Sequence, residues 1–220
     1  MTNLRDSVPD TFSLAGSWQF RLDPEKKGVD EKWFGHCLAD TVQLPGTTDE
    51  NCRGEKVDEQ CVDRLSRVWR WIGAAWYQRR VTIPSHWAGK HITLFLERTK
   101  DSRIWVDDTP AGAEDSLSAP HVYDLSGLLT PGDHMLTILI DNSRLPPVGP
   151  AHAVDERTQT NWNGIIGRIE IEARESVWIE DVQVYPDSQG KRVNVMVVIG
   201  NGTGWIGDCN VIVAAETGAQ

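Results

Sequence analysis

The sequence predicts an all-β protein: a first unit of two stacked sheets, followed by the opening strands of a second β-sandwich. Three observations carry this. Short stretches of alternating apolar and polar residues recur along the 220-residue chain, each stopped by Gly, Pro, Asp or Asn. No long stretch keeps the 3.6-residue period of an amphipathic helix. The strand pattern also restarts after Glu175.

The strands follow in order. Ser17-Trp18-Gln19-Phe20-Arg21-Leu22 alternates apolar with polar, and Thr41-Val42-Gln43-Leu44 does so before the turn signal Pro45-Gly46. Thr47 to Arg67 is a polar stretch of a length that compact domains rarely carry without a purpose, which predicts a functional or interface loop. Ala75 to Ile83 reads as a strand closed by Pro84, and His91 to Glu97 and Ser102 to Asp107 give two more, with Asp107, Asp108 and Pro110 marking the turn that follows. Tyr123 to Gly132 reads as a short helical or irregular turn ended by Pro131-Gly132, before a strand from His134 to Asn142 and a proline-rich loop from Leu145 to Pro150. The alternating Ile residues of Gly167 to Ala173 define a buried face, and Glu170 and Glu172, as the outward half of the strand, read as a solvated edge. So many evenly spaced short strands imply two stacked sheets.

Beyond Glu175, strands are expected at Val177–Pro186, Arg192–Ile199 and Asn210–Ala214. A complete immunoglobulin-like sandwich needs about seven strands over about 100 residues, so this second unit is expected to be incomplete within the chain. Domains are therefore expected at 1–174 and 175–220.

The composition removes several function classes. Hydrophobic residues make up 40% and charged residues 25%, and no apolar run approaches the roughly 18 residues of a membrane-spanning helix, so a membrane partner is not expected. A formal charge of -10 with interspersed signs argues against a nucleic-acid partner, which would call for a basic stripe. The same charge disfavours strongly anionic substrates unless a local cluster such as Arg64, Arg67 and Arg70 overrides it; the other reading of that cluster is a solvated loop. Cys37, Cys52, Cys61 and Cys209 form no Cys-x-x-Cys pair, so neither a disulfide framework nor a metal site is expected, and no motif calls for a cofactor. Met1 to Asp6 has no hydrophobic signal core, which fits a cytoplasmic protein or one whose leader has been removed.

The ordered set Leu14-Ala15-Gly16-Ser17-Trp18-Gln19-Phe20, Leu44-Pro45-Gly46, Ala75-Trp76-Tyr77-Gln78-Arg79, Leu96-Glu97-Arg98, Ile104-Trp105-Val106-Asp107, Tyr123-Asp124-Leu125, Leu136-Thr137-Ile138 with Asp141-Asn142, and Asn161-Trp162-Asn163-Gly164-Ile165-Ile166-Gly167 resembles the amino-terminal domain of glycoside hydrolase family 2. The resemblance runs from about residue 11 to 174. It implies a jelly-roll sandwich of the galactose-binding-domain-like kind, then an immunoglobulin-like domain, then a TIM barrel that carries two catalytic glutamates and is missing here. It also implies a β-glycoside as partner, of the galactoside, glucuronide or mannoside type, and allows a homo-oligomer. Retaining hydrolysis needs two carboxyl groups about 5–5.5 Å apart, and no pair in this chain is assigned to that task.

The resemblance further implies that the segment before the last jelly-roll strand borders the sugar pocket. Here it is Thr158-Gln159-Thr160-Asn161-Trp162-Asn163-Gly164. Thr160, Asn161 and Asn163 suit hydroxyl groups by donating and accepting hydrogen bonds, and Trp162 suits the apolar face of a pyranose. Some relatives carry an acidic residue just before the Trp, where this chain has Thr160-Asn161. The alternative is a structural corner with Trp162 in the core. Trp18, Trp76 and Trp105 alternate with polar neighbours and read as core. Trp69, with Arg67 beside it, and Trp71 follow the polar loop and read as an exposed platform or a domain interface. Gly202-Thr203-Gly204-Trp205-Ile206-Gly207 matches a dinucleotide fingerprint letter for letter, but the strand-like stretch after it predicts a hairpin turn.

Overall fold

The computed structural model describes residues 10–58, 62, 67–144 and 161–214. Its strands are β1 (Asp10–Ser13), β2 (Gly16–Asp23), β3 (Asp40–Leu44), β4 (Gly46–Thr47), β5 (Glu55–Lys56), β6 (Trp69–Arg70), β7 (Ala74–Ile83), β8 (His91–Arg98), β9 (Asp101–Val106), β10 (Thr109–Glu114), β11 (His121–Asp124), β12 (Gly132–Asp141), β13 (Gly164–Arg174), β14 (Val177–Asp187) and β15 (Arg192–Asn201). Two short 3-10 turns, Trp33–Gly35 and Ser85–Trp87, interrupt them. One sheet has the order β1-β13-β8-β11, with β4 also pairing β13; the other has the order β10-β9-β12-β7-β2-β3. All pairings in both sheets are antiparallel. The result is a jelly-roll-like β-sandwich.

Alternation dictates the packing. From the first sheet, Leu94, Leu96, Ile169 and Ile171 point inward; from the second come Trp18, Phe20, Tyr77, Ile104, Ile138 and Ile140, all at most 2% exposed in one continuous cluster. Burying each aliphatic side chain stabilises the fold by roughly 1.5–3 kcal/mol. The outer face of the second sheet is covered as well. The connection from β2 to β3 folds over it, so that Trp33, Leu38, Ala74, Trp76, Trp105 and Leu139 form a second cluster. Asp23 fixes that connection by accepting the N–H groups of Lys27 (2.9 Å) and Gly28 (2.8 Å) and the indole N–H of Trp76 (3.0 Å). The three interior tryptophans are thus buried as expected, but Trp76 and Trp105 fill the outer layer rather than the space between the sheets.

The β14–β15 hairpin follows the sandwich and meets it where Trp178 stacks on His91 at 3.9 Å between ring centroids and Lys90 pairs with Glu175 at 3.1 Å.

Four local expectations are corrected. Pro110 lies inside β10 rather than in a turn; β10 is an edge strand, where the missing N–H costs no ladder bond, and the register slips between Pro110 and Gly112. Tyr123 and Asp124 belong to β11, because the sandwich supplies β8 as a partner for what reads locally as a turn. Glu170 and Glu172 are not at an edge: β13 lies between β1 and β8, and their side chains are only 13% and 16% exposed, each paired with an arginine two residues away at 3.1 Å. Residues 210–214 form no strand beyond an isolated bridge at Asn210, so Gly202 to Gly207 bends without making a hairpin. The apolar residues there, Ile212 among them, have no neighbouring strand among the described residues. A strand exists only through its partner.

Candidate functional site

One end of the sandwich gathers the residues singled out by the sequence. Three strand starts and one strand end meet there: β7 after Gly73, β9 after Lys100, β13 at Gly164, and β12 before Asn142. A cage of carboxamides ties them together. Asn163 donates to the carbonyls of Gly73 (3.0 Å) and Ile140 (3.1 Å) and accepts the phenol of Tyr77 (2.9 Å). Burial of that phenol pushes its pKa up, so it stays a donor. Asn142 accepts the Gly73 N–H (2.9 Å) and donates to the carbonyls of Trp71 and Asn161, both at 3.0 Å. Asn161 donates in return to the Asn142 carbonyl (2.7 Å). An isolated chain end at this depth would leave buried carbonyls unpaired, so this cage makes an abrupt corner possible.

The neighbouring turns lock onto the cage. The Thr48 N–H donates to the Asn163 carbonyl (2.8 Å), and the Thr99 hydroxyl donates to that of Gly164 (2.9 Å). Gly164 has φ +137°, and a Cβ there would lie 2.3 Å from the Gly46 carbonyl oxygen, so only glycine allows β4 and β13 to approach. The polar stretch after Thr47 starts as an ordered turn. Glu50 accepts from the N–H and hydroxyl of Thr47, and Asn51 binds the backbone of both Gln43 and Thr47.

The predicted residues are distributed as follows. Arg67, Asn161, Trp162 and Asn163 come together: Arg67 is 8% exposed and donates to the Asn161 carbonyl at 2.5 Å. Asn161 and Asn163 are buried in the cage, whereas Trp162 between them is half-buried. Within this tripeptide the amides turn inward, whereas the indole remains partly open. Trp69 is half-buried in β6, its N–H donating to the Asp49 carboxylate at 2.7 Å. Arg70, also in β6, lies in register with Glu55. Thr160 and Arg64 lie outside the described residues, as does the proline-rich loop.

Two residues of this corner were not singled out as site residues by the sequence. Asn142 was legible as the end of a strand and as part of the resemblance, yet it is the hub of the cage. Lys100 occupies the β8–β9 turn, 6% exposed, with Nζ 4.6 Å from the centroid of the Trp162 ring. Burial pushes its pKa down to about 8. Its ammonium has no hydrogen bond or ion pair among the described residues, and the adjacent Asp101 is paired with Arg144 at 3.9 Å. Two further buried atoms in the corner, Asn161 Oδ1 and Thr48 Oγ1, also have no partner among the described residues. Of these groups only the Trp162 indole is partly open; the lysine and both oxygen atoms are buried behind it. An open cleft of about 930 Å³ adjoins on the outer face, lined among others by Asp23, Lys26, Asp101, Asp141 and Arg144.

Comparison with known proteins places this geometry. The family model described as glycosyl hydrolases family 2, sugar binding domain, matches residues 12–171. A β-glucuronidase of Paenibacillus borealis is 23% identical over 197 residues, spanning 81% of this chain and 31% of that protein. Human β-glucuronidase is 25% identical over 165 residues, spanning 67% of this chain and 24% of the relative. Among solved structures, Ruminococcus gnavus β-glucuronidase in complex with uronic isofagomine superposes with a TM-score of 0.68 at 18% identity, over 93% of this chain and 35% of that one. An uncultured Clostridium sp. β-glucuronidase gives 0.66 at 19% identity, over 92% and 36%. The chain thus spans about a quarter to a third of the length of these relatives. It belongs to glycosyl hydrolase family 2, as a sugar-binding domain of that family.

Proposed function

We propose that this chain is the non-catalytic, sugar-binding portion of a retaining glycoside hydrolase acting on β-glycosides of the glucuronide or galactoside type, and that the corner around Trp162 borders the sugar pocket. The observation that carries this reading is the division of labour within Asn161-Trp162-Asn163. The amides hold the corner rigid from inside while the indole is left partly open, as a surface that stacks on a pyranose needs to be. The relatives named above are β-glucuronidases, which puts glucuronides first among the substrates.

In this reading residues 1–174 are the jelly-roll domain and 175–220 open an immunoglobulin-like one. A catalytic barrel elsewhere in the protein supplies the two glutamates, and a homo-oligomer is compatible with this reading. The domain contributes binding energy and orientation; it neither donates nor accepts the proton of the reaction. Arg67 and Trp69 are further candidates for bordering the pocket in this reading.

The test is an assay of this chain, and of the full-length protein that carries it, on p-nitrophenyl β-D-glucuronide, β-D-galactoside and β-D-mannoside. Turnover of at least one substrate by the full-length protein and none by the chain is expected. Turnover by the chain itself overturns the non-catalytic assignment. Saturable sugar binding by the isolated chain, with no turnover by the full-length protein, points instead to a free-standing carbohydrate-binding module.

A further inference from the structure

We infer that the stack of Trp178 on His91 is a latch that fixes the direction in which the β14–β15 hairpin leaves the sandwich, and so holds the second unit of the chain at a set angle to the first. His91 and Trp178 are positioning residues and touch no substrate. The inference goes beyond the proposed function, and its test needs no sugar.

The need for a latch follows from the connection. Glu175 and Ser176 alone separate the end of β13 at Arg174 from the start of β14 at Val177. Among the described residues no strand of the hairpin pairs with a strand of the sandwich, so no ladder of backbone hydrogen bonds sets the angle between them. Rotation about the backbone of two linking residues is enough to swing the hairpin through many directions. Side chains must supply the restraint. An ion pair between Lys90 and Glu175 crosses the joint at 3.1 Å, but the Glu175 side chain is 64% exposed, and water screens such a pair. The stack is of another kind: it joins β8 to β14 face to face, with ring centroids 3.9 Å apart and planes within 8°.

Each ring is fixed on its own side of the joint. The His91 side chain is 14% exposed, and its Nδ1 lies 3.1 Å from the Ser126 hydroxyl. That hydroxyl gives its one hydrogen to Asp124 Oδ1 at 2.5 Å, in preference to the Ile92 carbonyl at 3.5 Å, and accepts the Ile92 N–H at 2.9 Å. Only a lone pair is left for the imidazole, so Nδ1 carries the hydrogen and the ring is pinned in one orientation. On the hairpin, Trp178 faces Gly200 across the two strands. A Cβ on residue 200 would lie 2.2 Å from the indole, so the missing side chain is what lets that ring lie close against β15. The indole N–H donates to Glu180 of its own strand. A ring anchored in the sandwich thus meets a ring anchored in the hairpin, and any swing of the hairpin must part them.

The experiment measures residual dipolar couplings of the backbone amides in this 220-residue chain, for the wild type, Trp178→Ala, His91→Ala and Trp178→Phe. Wild-type couplings from the sandwich and from the hairpin are expected to fit one alignment tensor. Either alanine variant should need two, with the smaller tensor for the hairpin, and Trp178→Phe, which keeps a flat ring, should restore much of the common alignment. The carbon-bound protons of the His91 imidazole should resonate upfield of those of free histidine, because they lie over the indole, and that shift should vanish in Trp178→Ala. One shared tensor in both alanine variants overturns the latch, since something else then sets the angle. Two tensors in the wild type, or no upfield shift of its His91 ring, overturn it as well, whether or not the variants fold. None of these results bears on the turnover assays that test the proposed function.

Discussion

At the scale of single residues, the corner separates groups that hold the fold from groups that are held by it. Asn163 belongs to the first kind. Replacing it with Ala leaves the carbonyls of Gly73 and Ile140 and the phenol of Tyr77 buried without their partner. Such a change should cost about 2–4 kcal/mol, read as a lower midpoint in urea with an unchanged slope. Lys100 belongs to the second kind, and its stability effect has the opposite sign. Its pKa is lowered in the fold from 10.5 to about 8 by burial, so the folded state resists protonation. Below pH 8 both folded and unfolded chains carry the charge, and the fold bears the whole penalty. Between pH 8 and 10.5 the folded chain sheds its proton first and the penalty fades. Lys100→Met should therefore raise the melting temperature at pH 7 and lose that advantage by about pH 10.5. A lysine serving only structure would give destabilisation at pH 7 instead.

At the scale of elements, the close approach of β4 to β13 is the most demanding contact of the site. Gly164→Ala places a methyl group 2.3 Å from the Gly46 carbonyl oxygen in a backbone region unsuited to alanine. Displacement of β4 and the 47–53 turn is expected, measured as faster amide exchange at Thr48, whose N–H bonds to the Asn163 carbonyl, while Ile138 and Ile140 in β12 stay protected. A variant with unchanged exchange at Thr48 would show that the two strands do not depend on this glycine. The central strands were legible in the sequence because alternation with a buried face fixes them locally: β2, β3, β7, β8, β12 and β13 lie within two or three residues of their expected bounds. What escaped was decided by partners far along the chain. Tyr123 and Asp124 become a strand because β8 is beside them, Pro110 is tolerated because β10 is an edge, and residues 210–214 lack a neighbour despite their alternation. The site divides in the same way. Asn161, Trp162 and Asn163 drew attention as amides around an indole, and Asn142 as part of the ordered resemblance, but the contacts of Asn142 and Lys100 with them come only through the crossing of four strands, which no local pattern encodes.

At the scale of the whole molecule, the sandwich carries its own core, its outer layer and a rigid corner, and spans about a quarter to a third of the relatives it matches. The proposed function therefore assigns it a share of substrate binding and none of the chemistry. That central claim is tested most directly by steady-state kinetics of Trp162→Ala in the full-length protein, with p-nitrophenyl β-D-glucuronide as substrate. Loss of a stacking face should raise KM and lower kcat/KM by about tenfold, with the melting temperature nearly unchanged because the amide cage on either side remains intact. Kinetics indistinguishable from the wild type in a correctly folded variant would contradict the account, and would leave this domain as a scaffold that never touches the sugar.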